Sequence, residues 1–473
     1  MVFNSLHFVA FFLVVYAIYR ALPHRPQNVW VLAASYYFYA AWDWRFLGLL
    51  IGSTVVDYFC GLYIARQQAA PRRRAALLVS LTFNLGALGF FKYFNFFAAN
   101  LHGLFGPLGW QLDFITVEVL LPIGISFYTF MTISYVVDVY RREVEPCRNF
   151  IDFAVFVAYF PHLVAGPILR ASMLIPQIAR PRTITRLQAA EGFWLIAFGY
   201  FQKVFVADNL SHVVDQAFRA GGNPTGLEVV LATYAFAFQI LGDFAGYSNI
   251  ARGTSKLMGI ELNINFLYPY FVLTPQAFWR HWHISLSTWL RDYLYIPLGG
   301  SRGGAGRTYR NLMITMALGG LWHGAAWTFV LWGVYQGLAL VIYRAIGDSA
   351  ARAGVVFRQT ALSRAALGVL MIHVTCYGWL IFRARSVSQI ADFSSRVFGG
   401  LTAGPETWPV YGWPLLAFAG PFLALHIYEY VRQDLYAVPK LPPFVRYMAY
   451  AAMFYLMLLF GDFGGTQFIY FQF

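Results

Sequence analysis

Twelve apolar runs, separated by short polar connectors, constrain this chain more than any other feature. They fall at 8–19, 29–42, 46–64, 75–98, 115–140, 150–169, 187–206, 227–250, 311–343, 365–382, 413–431 and 447–461. A membrane-crossing helix needs roughly 20 apolar residues, so the chain has room for about ten to twelve spans. Hydrophobic residues make up 59% of the 473 and charged residues 12%, against about 45–50% and about 25% in soluble domains. The fold class that follows is an all-α polytopic membrane protein. Secreted, disordered and disulfide-stapled classes are excluded. Cys60, Cys147 and Cys376 are widely spaced and form no metal-type pair, so neither a disulfide framework nor a metal site is expected. Met1 to His7 has no basic region, and Phe8 to Tyr19 reads as a retained first helix, not a cleaved leader. No internal repeat is visible, and 1–473 reads as a single membrane-embedded domain.

The net charge is +13, from 34 Lys+Arg against 21 Asp+Glu. These charges sit in connectors between apolar runs, which points to juxtamembrane contacts and away from nucleic acid. Basic connectors such as Arg72-Arg73-Arg74, Arg141-Arg142 and Arg302 to Arg310 alternate with poor ones at 99–114, 207–226 and 462–473. Placing the rich set in the cytoplasm puts both termini outside and leaves 462–473 as a short extracytoplasmic tail. It also leaves three stretches that enter and leave on one side: 150–169, with Pro161 and the pair Gly166-Pro167; 257–301, too polar to span; and 311–343. The last would be about 50 Å long as one helix, with interruptions expected at Gly319-Gly320 and Gly324. Broken segments are tolerated at membrane depth only where protein buries them or a watered cavity receives them. Re-entrant segments around a central funnel are therefore expected.

Ionisable groups inside a membrane are functional candidates by default. Phe278-Trp279-Arg280-His281-Trp282-His283 is one cluster, followed by Ser285, Ser287, Arg291 and Asp292. It reads either as an interfacial amphipathic helix or as a site. His281 and His283 do not share a helix face, so a zinc pair is disfavoured. Gly319-Gly320-Leu321-Trp322-His323-Gly324 is the second cluster. His323 there is either a satisfied core histidine or an imidazole poised to take a proton from a hydroxyl and return it. Asp57, Asp138, Asp243 and Glu429 lie in or near apolar runs and suit either a proton path or local pairing. The Gly299–Arg307 segment matches no Walker pattern. It is either a flexible cytoplasmic loop or a cradle whose amides, with Arg302 and Arg307, hold phosphates. The aromatic tail Phe468 to Phe473 is either an interfacial anchor or a segment folded back inside. In the second case Tyr470 is the nucleophile among its last six residues.

Together these residues resemble the membrane-bound O-acyltransferase family, and more narrowly its bacterial branch that O-acetylates extracellular polysaccharides such as alginate. The resemblance begins at Met1-Val2-Phe3-Asn4-Ser5 and takes in Leu121 to Phe127, Ala165-Gly166-Pro167-Ile168 and Phe278 to Asp292. It continues through Ile296 to Arg302, Leu321-Trp322-His323-Gly324 and Phe468 to Phe473. It implies a many-helix fold in the bacterial inner membrane, with cytoplasmic acetyl-CoA as acyl donor and no metal. It implies an extracytoplasmic partner that sets the acetyl group on the glycan. His323 and His283 match the family's two characteristic polar positions, the first catalytic. The terminal motif resembles one on a helper peptide of the related teichoic-acid D-alanylation system. There a tyrosine at the position of Tyr470 is implicated as a transient acyl carrier. The alternatives are a polytopic transporter or flippase, a scaffold that recruits an exporter, and a relative that uses another donor such as D-alanyl.

Overall fold

The structure, a computed structural model, describes residues 1–108, 119–164, 166–355, 360–464 and 468–469. Among these the chain is helical, without a strand. Seven stretches among the described residues are long and apolar enough to cross a membrane. They are His24–Arg66, Ala70–Phe105, Gly226–Leu257, Trp327–Arg352, Ala361–Arg383, Thr407–Arg432 and Pro443–Phe460. The first holds two 20-residue helices, His24–Asp43 and Leu47–Arg66, joined by a single turn. Other apolar runs form helices that are shorter or carry buried charge. Ile125–Arg141 has 17 residues, and 186–218 contains Lys203 and Asp208. The chain divides into two compact units.

The first unit comprises Met1–Phe193 and Ala251–Asn263. At its heart the helix Ile125–Arg141 is buried along most of its length. Gly61 lets it approach Leu47–Arg66, because a Cβ at Gly61 would lie 2.7 Å from the Tyr135 ring. Polar bonds then fix the packing. Ser80 Oγ and Asn84 Nδ2 donate to the Asp57 carboxylate at 2.5 and 2.8 Å, and Ser53 Oγ donates to Asn84 Oδ1 at 2.7 Å. Asp57 is therefore satisfied across two helices, which is the local-pairing reading of this residue. The 150–169 stretch is broken, as the sequence leads one to expect. Helix Phe150–Ala158 stops at Tyr159, and a single turn, Phe160–Leu163, follows. Residues 152–163 are all buried, and Ser35 Oγ accepts the freed Phe160 amide at 3.1 Å.

The second unit comprises Trp194–Ile250 and Ile264–Phe473. Its 311–343 stretch forms a hairpin of Ala305–His323 and Trp327–Arg352. The break lies at Gly324 alone. Gly319 and Gly320, expected to interrupt the helix, lie inside it and serve packing. A Cβ on Gly320 would fall 2.2 Å from the Phe329 carbonyl oxygen, and one on Gly333 would fall 2.3 Å from that of Met316. The last helix, Pro443–Phe460, buries Met453 and exposes Phe444, Met448, Phe454, Leu458 and Leu459, as a lipid-facing helix should. This packing predicts opposite outcomes at two glycines of one helix. Gly333→Ala should lower the thermal midpoint in detergent, because overpacking costs about 1–3 kcal/mol. Gly347→Ala meets nothing within 4 Å and should hold the midpoint or raise it, by adding about 0.5–1 kcal/mol of stability.

Candidate functional site

His283 stands at the elbow between two short helices, Pro275–His281 and Ile284–Leu290. Its backbone is left-handed, with φ 42° and ψ 54°. A non-glycine residue held there costs about 1–3 kcal/mol, and such positions cluster at functional sites. The strain is held by what surrounds it. Trp282, 1% exposed, packs on Trp379 and Phe266 with ring centroids 4.7 and 4.9 Å apart. Asn265 caps the following helix: its carbonyl accepts from the Ile284 amide at 3.0 Å, and its Oδ1 accepts from the Ser285 amide at 3.1 Å. His281, two residues earlier, turns to the carbonyl oxygen of Leu267. The two histidines of this motif thus part company, for the reason that their spacing already gave.

His323 is the last residue of Ala305–His323. The helix ends there because Gly324 takes an extended conformation (φ −161°, ψ 149°) in contact with Phe329, where a Cβ would fall 2.2 Å from the ring. The imidazole sits in an aromatic box. Trp332, Trp322 and Phe382 meet it edge-on with centroids at 4.9, 5.1 and 5.5 Å. His283 and His323, 40 positions apart in the sequence, lie with ring centroids 6.4 Å apart, and both are buried. At that separation two imidazoles can address one small group lying between them. One can move a proton while the other donates to a developing charge.

The other expected site residues divide. Arg302 and Arg307 are exposed, the first within and the second just after a turn in which Gly299, Gly300, Gly303 and Gly304 all have positive φ. Arg307 and His323 belong to the same helix, separated by about 24 Å at 1.5 Å per residue. Tyr470 lies outside the described residues, but Phe468 and Ile469 just before it are buried. The Phe468 ring lies 5.6 Å from Phe244, which stands 4.6 Å from His283. Phe468 and Ile469 themselves therefore lie in the interior. Of the four carboxylates, Asp243 belongs to this neighbourhood, and its Oδ2 accepts the Ile469 amide at 2.6 Å. Glu429 lies beside His426 at 3.6 Å, while Asp57 and Asp138 belong to the first unit. Among the described residues no three His, Cys, Asp or Glu side chains gather as a metal ion would need.

Sequence reasoning missed Lys203, Asn265 and the tryptophans Trp332 and Trp379. Lys203 carried a usable signal, as a lone cation inside the apolar run 187–206. The tryptophans carried none, since aromatic residues abound throughout the chain.

Comparison with known proteins follows the same residues. A profile of the membrane-bound O-acyltransferase family matches residues 37–382, a span that includes both histidines. The chain is 45% identical over 395 residues to the probable alginate O-acetylase AlgI of Pseudomonas aeruginosa, covering 83% of this chain and 73% of that protein. It is 34% identical over 421 residues to a peptidoglycan O-acetyltransferase of Helicobacter pylori, covering 82% and 78%. It is 31% identical to a teichoic acid D-alanyltransferase of Streptococcus thermophilus over 236 residues, which is 46% of this chain and 56% of that one.

The elbow at His283 predicts a pattern of stability. Asn tolerates left-handed backbone, and β-branched residues do not. His283→Asn should leave the thermal midpoint close to that of the unaltered chain, whereas His283→Val should lower it, through a loss of about 1–3 kcal/mol of stability.

Proposed function

The chain belongs to the membrane-bound O-acyltransferase family, and from that premise we propose that it takes an acetyl group from cytoplasmic acetyl-CoA and passes it across the bacterial inner membrane for O-acetylation of an exported polysaccharide such as alginate. It is a multi-pass membrane O-acetyltransferase of the alginate O-acetylase type. The observation that carries the finer reading is the buried His283–His323 pair, built from two separate segments and boxed by aromatic rings.

In the proposed reaction Arg302 and Arg307 hold the donor's phosphates at the cytoplasmic side, where charge-assisted bonds from guanidinium groups are strong. Arg307 lies in the first turn of the helix that His323 ends and Arg302 just before it, so the acyl group must arrive on an extended arm, and the pantetheine chain of acetyl-CoA supplies one. His323 takes the proton from an attacking hydroxyl. The oxygen bonds to the acyl carbon, the carbon–sulfur bond breaks, and His323 returns the proton to the departing thiolate. His283 donates to the carbonyl oxygen as negative charge gathers there. We assign the hydroxyl to Tyr470. A phenol has a pKa near ~10, so it needs the base. The acetyl-tyrosine then passes its acyl group, outside the membrane, to a partner that sets it on the glycan.

A D-alanyl donor is the second reading within the family. The D-alanyltransferase relative matches less than half of this chain and the O-acetylases more than four-fifths, which favours acetyl. Family membership also tells against the transporter and scaffold alternatives.

Incubation with labelled acetyl-CoA, followed by mass spectrometry of the C-terminal peptide, tests the assignment. Label should appear on Tyr470, be absent in Tyr470→Phe, and fall by about 10²–10⁴-fold in His323→Ala. Full labelling in folded His323→Ala would remove the base from the scheme. Replacing Arg302 and Arg307 together by Ala should raise KM for the donor about tenfold or more and spare kcat, since each guanidinium–phosphate bond is worth about 1.5–3 kcal/mol. An unchanged KM would move the donor site elsewhere.

A further inference from the structure

We infer that Lys203, Asp208 and Asp243 form a buried dock that grips the chain's own terminal segment, with Asp243 as a positioning residue for the transfer. Lys203 Nζ lies 2.7 Å from Asp208 Oδ1 and 2.8 Å from Asp243 Oδ1. The other Asp243 oxygen accepts the Ile469 amide at 2.6 Å. All three side chains are nearly inaccessible. The carboxylate is thus divided, one oxygen to the lysine and one to the tail. A charge-assisted bond to a backbone amide in a dry setting is strong. It demands an N–H at position 469 and little else of that residue.

Two helices come unusually close to build the dock. Lys203 sits on the wide turn Phe201–Ala207, and Asp243 on Gly226–Leu257. A Cβ at Gly242 would lie 2.9 Å from the Gln202 carbonyl oxygen, and one at Gly246 would lie 2.8 Å from that of Gly199. Larger residues at either glycine would push Asp243 out of reach of Lys203. The same helical stretch also holds the start of the tail. Asn209 Nδ2 donates to the Phe460 carbonyl at 2.8 Å, and the Asp462 amide donates to the Val204 carbonyl at 2.9 Å. His212 Nε2 lies 2.8 Å from Asp462 Oδ2. The Phe468 ring packs 4.6 Å from Tyr247, one turn beyond Asp243. Asp243 and Phe244 are consecutive, so the group that binds the tail and the ring that touches His283 move together.

The inference rests on the acyl-transfer reading above, and its test separates the two. Asp243→Ala removes the acceptor but leaves Lys203 paired with Asp208, so no buried lysine is stranded. Ile469→Pro removes the amide donor and leaves the triad intact. In the full-length protein in detergent, both variants should keep the thermal midpoint. In both, the backbone amides of 461–468 should exchange with deuterium at least tenfold faster. The ratio of acyl transfer to His323-dependent donor hydrolysis should fall at least tenfold. Unchanged exchange and an unchanged ratio in Ile469→Pro would overturn the dock. So would an equal collapse of hydrolysis and transfer with a lowered midpoint in both variants, which would assign the triad to the fold alone. If the unaltered protein turns over no acyl donor, the acyl-transfer reading fails, and the exchange rates alone decide whether the tail is docked.

Discussion

A backbone amide released from a helix inside a bilayer has no water to bond to, and the breaks in this chain are arranged around that constraint. At Tyr159 the following amide goes to a serine on another helix. At His283 the amides of the next two residues go to the carbonyl and side chain of Asn265. At Gly324 the chain reverses against an aromatic ring, with no side chain to keep the two apart. Tyr159, His283 and Gly324 themselves are buried, as the lipid environment requires. Two of the three place a histidine at the end of a helix, and those two histidines meet.

The site depends on that geometry more than on any individual side chain. His283 and His323 arrive on helix ends, so their positions follow from where the helices stop. The stops follow from a strained elbow and a glycine. The surrounding rings do two things. They fill volume around the imidazoles, and they exclude water, which strengthens every polar interaction that develops during reaction. The buried ion triad beside them has a different character: one lysine holds two carboxylates, and the spare oxygen of Asp243 takes an amide of the tail. It carries the tail instead of the chemistry.

The sequence announced the helices, a break within 150–169, the break at Gly324, and both histidines. Apolar runs and isolated polar residues report directly on the cost of placing a group in lipid. It did not announce that the histidines form a pair. Forty residues and a change of direction separate them, and no periodicity spans such an interval. The Gly319-Gly320 pair was misread for a related reason. Glycine marks either a break or a close approach, and only the neighbouring helix, with Gly333 against Gly320, distinguishes the two. Asp243 stood out as a membrane carboxylate, but its role depends on Lys203 and on a tail more than 200 residues away.

The close contact at Gly320 and Gly333 has an electrical consequence. Where a methyl group does not fit between two helices, neither does a file of water molecules, so protons find no path through that contact, one turn before His323. On the proposed chemistry the imidazole receives a proton from one reactant and returns it to the other within the same enclosure. No net charge then moves through the protein as the acyl group crosses. A membrane potential does work of about 2.3 kcal/mol per elementary charge per 100 mV, and on a neutral event it does none. Such a passage would run at the same rate in an energised and a de-energised cell, and it would not discharge the membrane that it traverses.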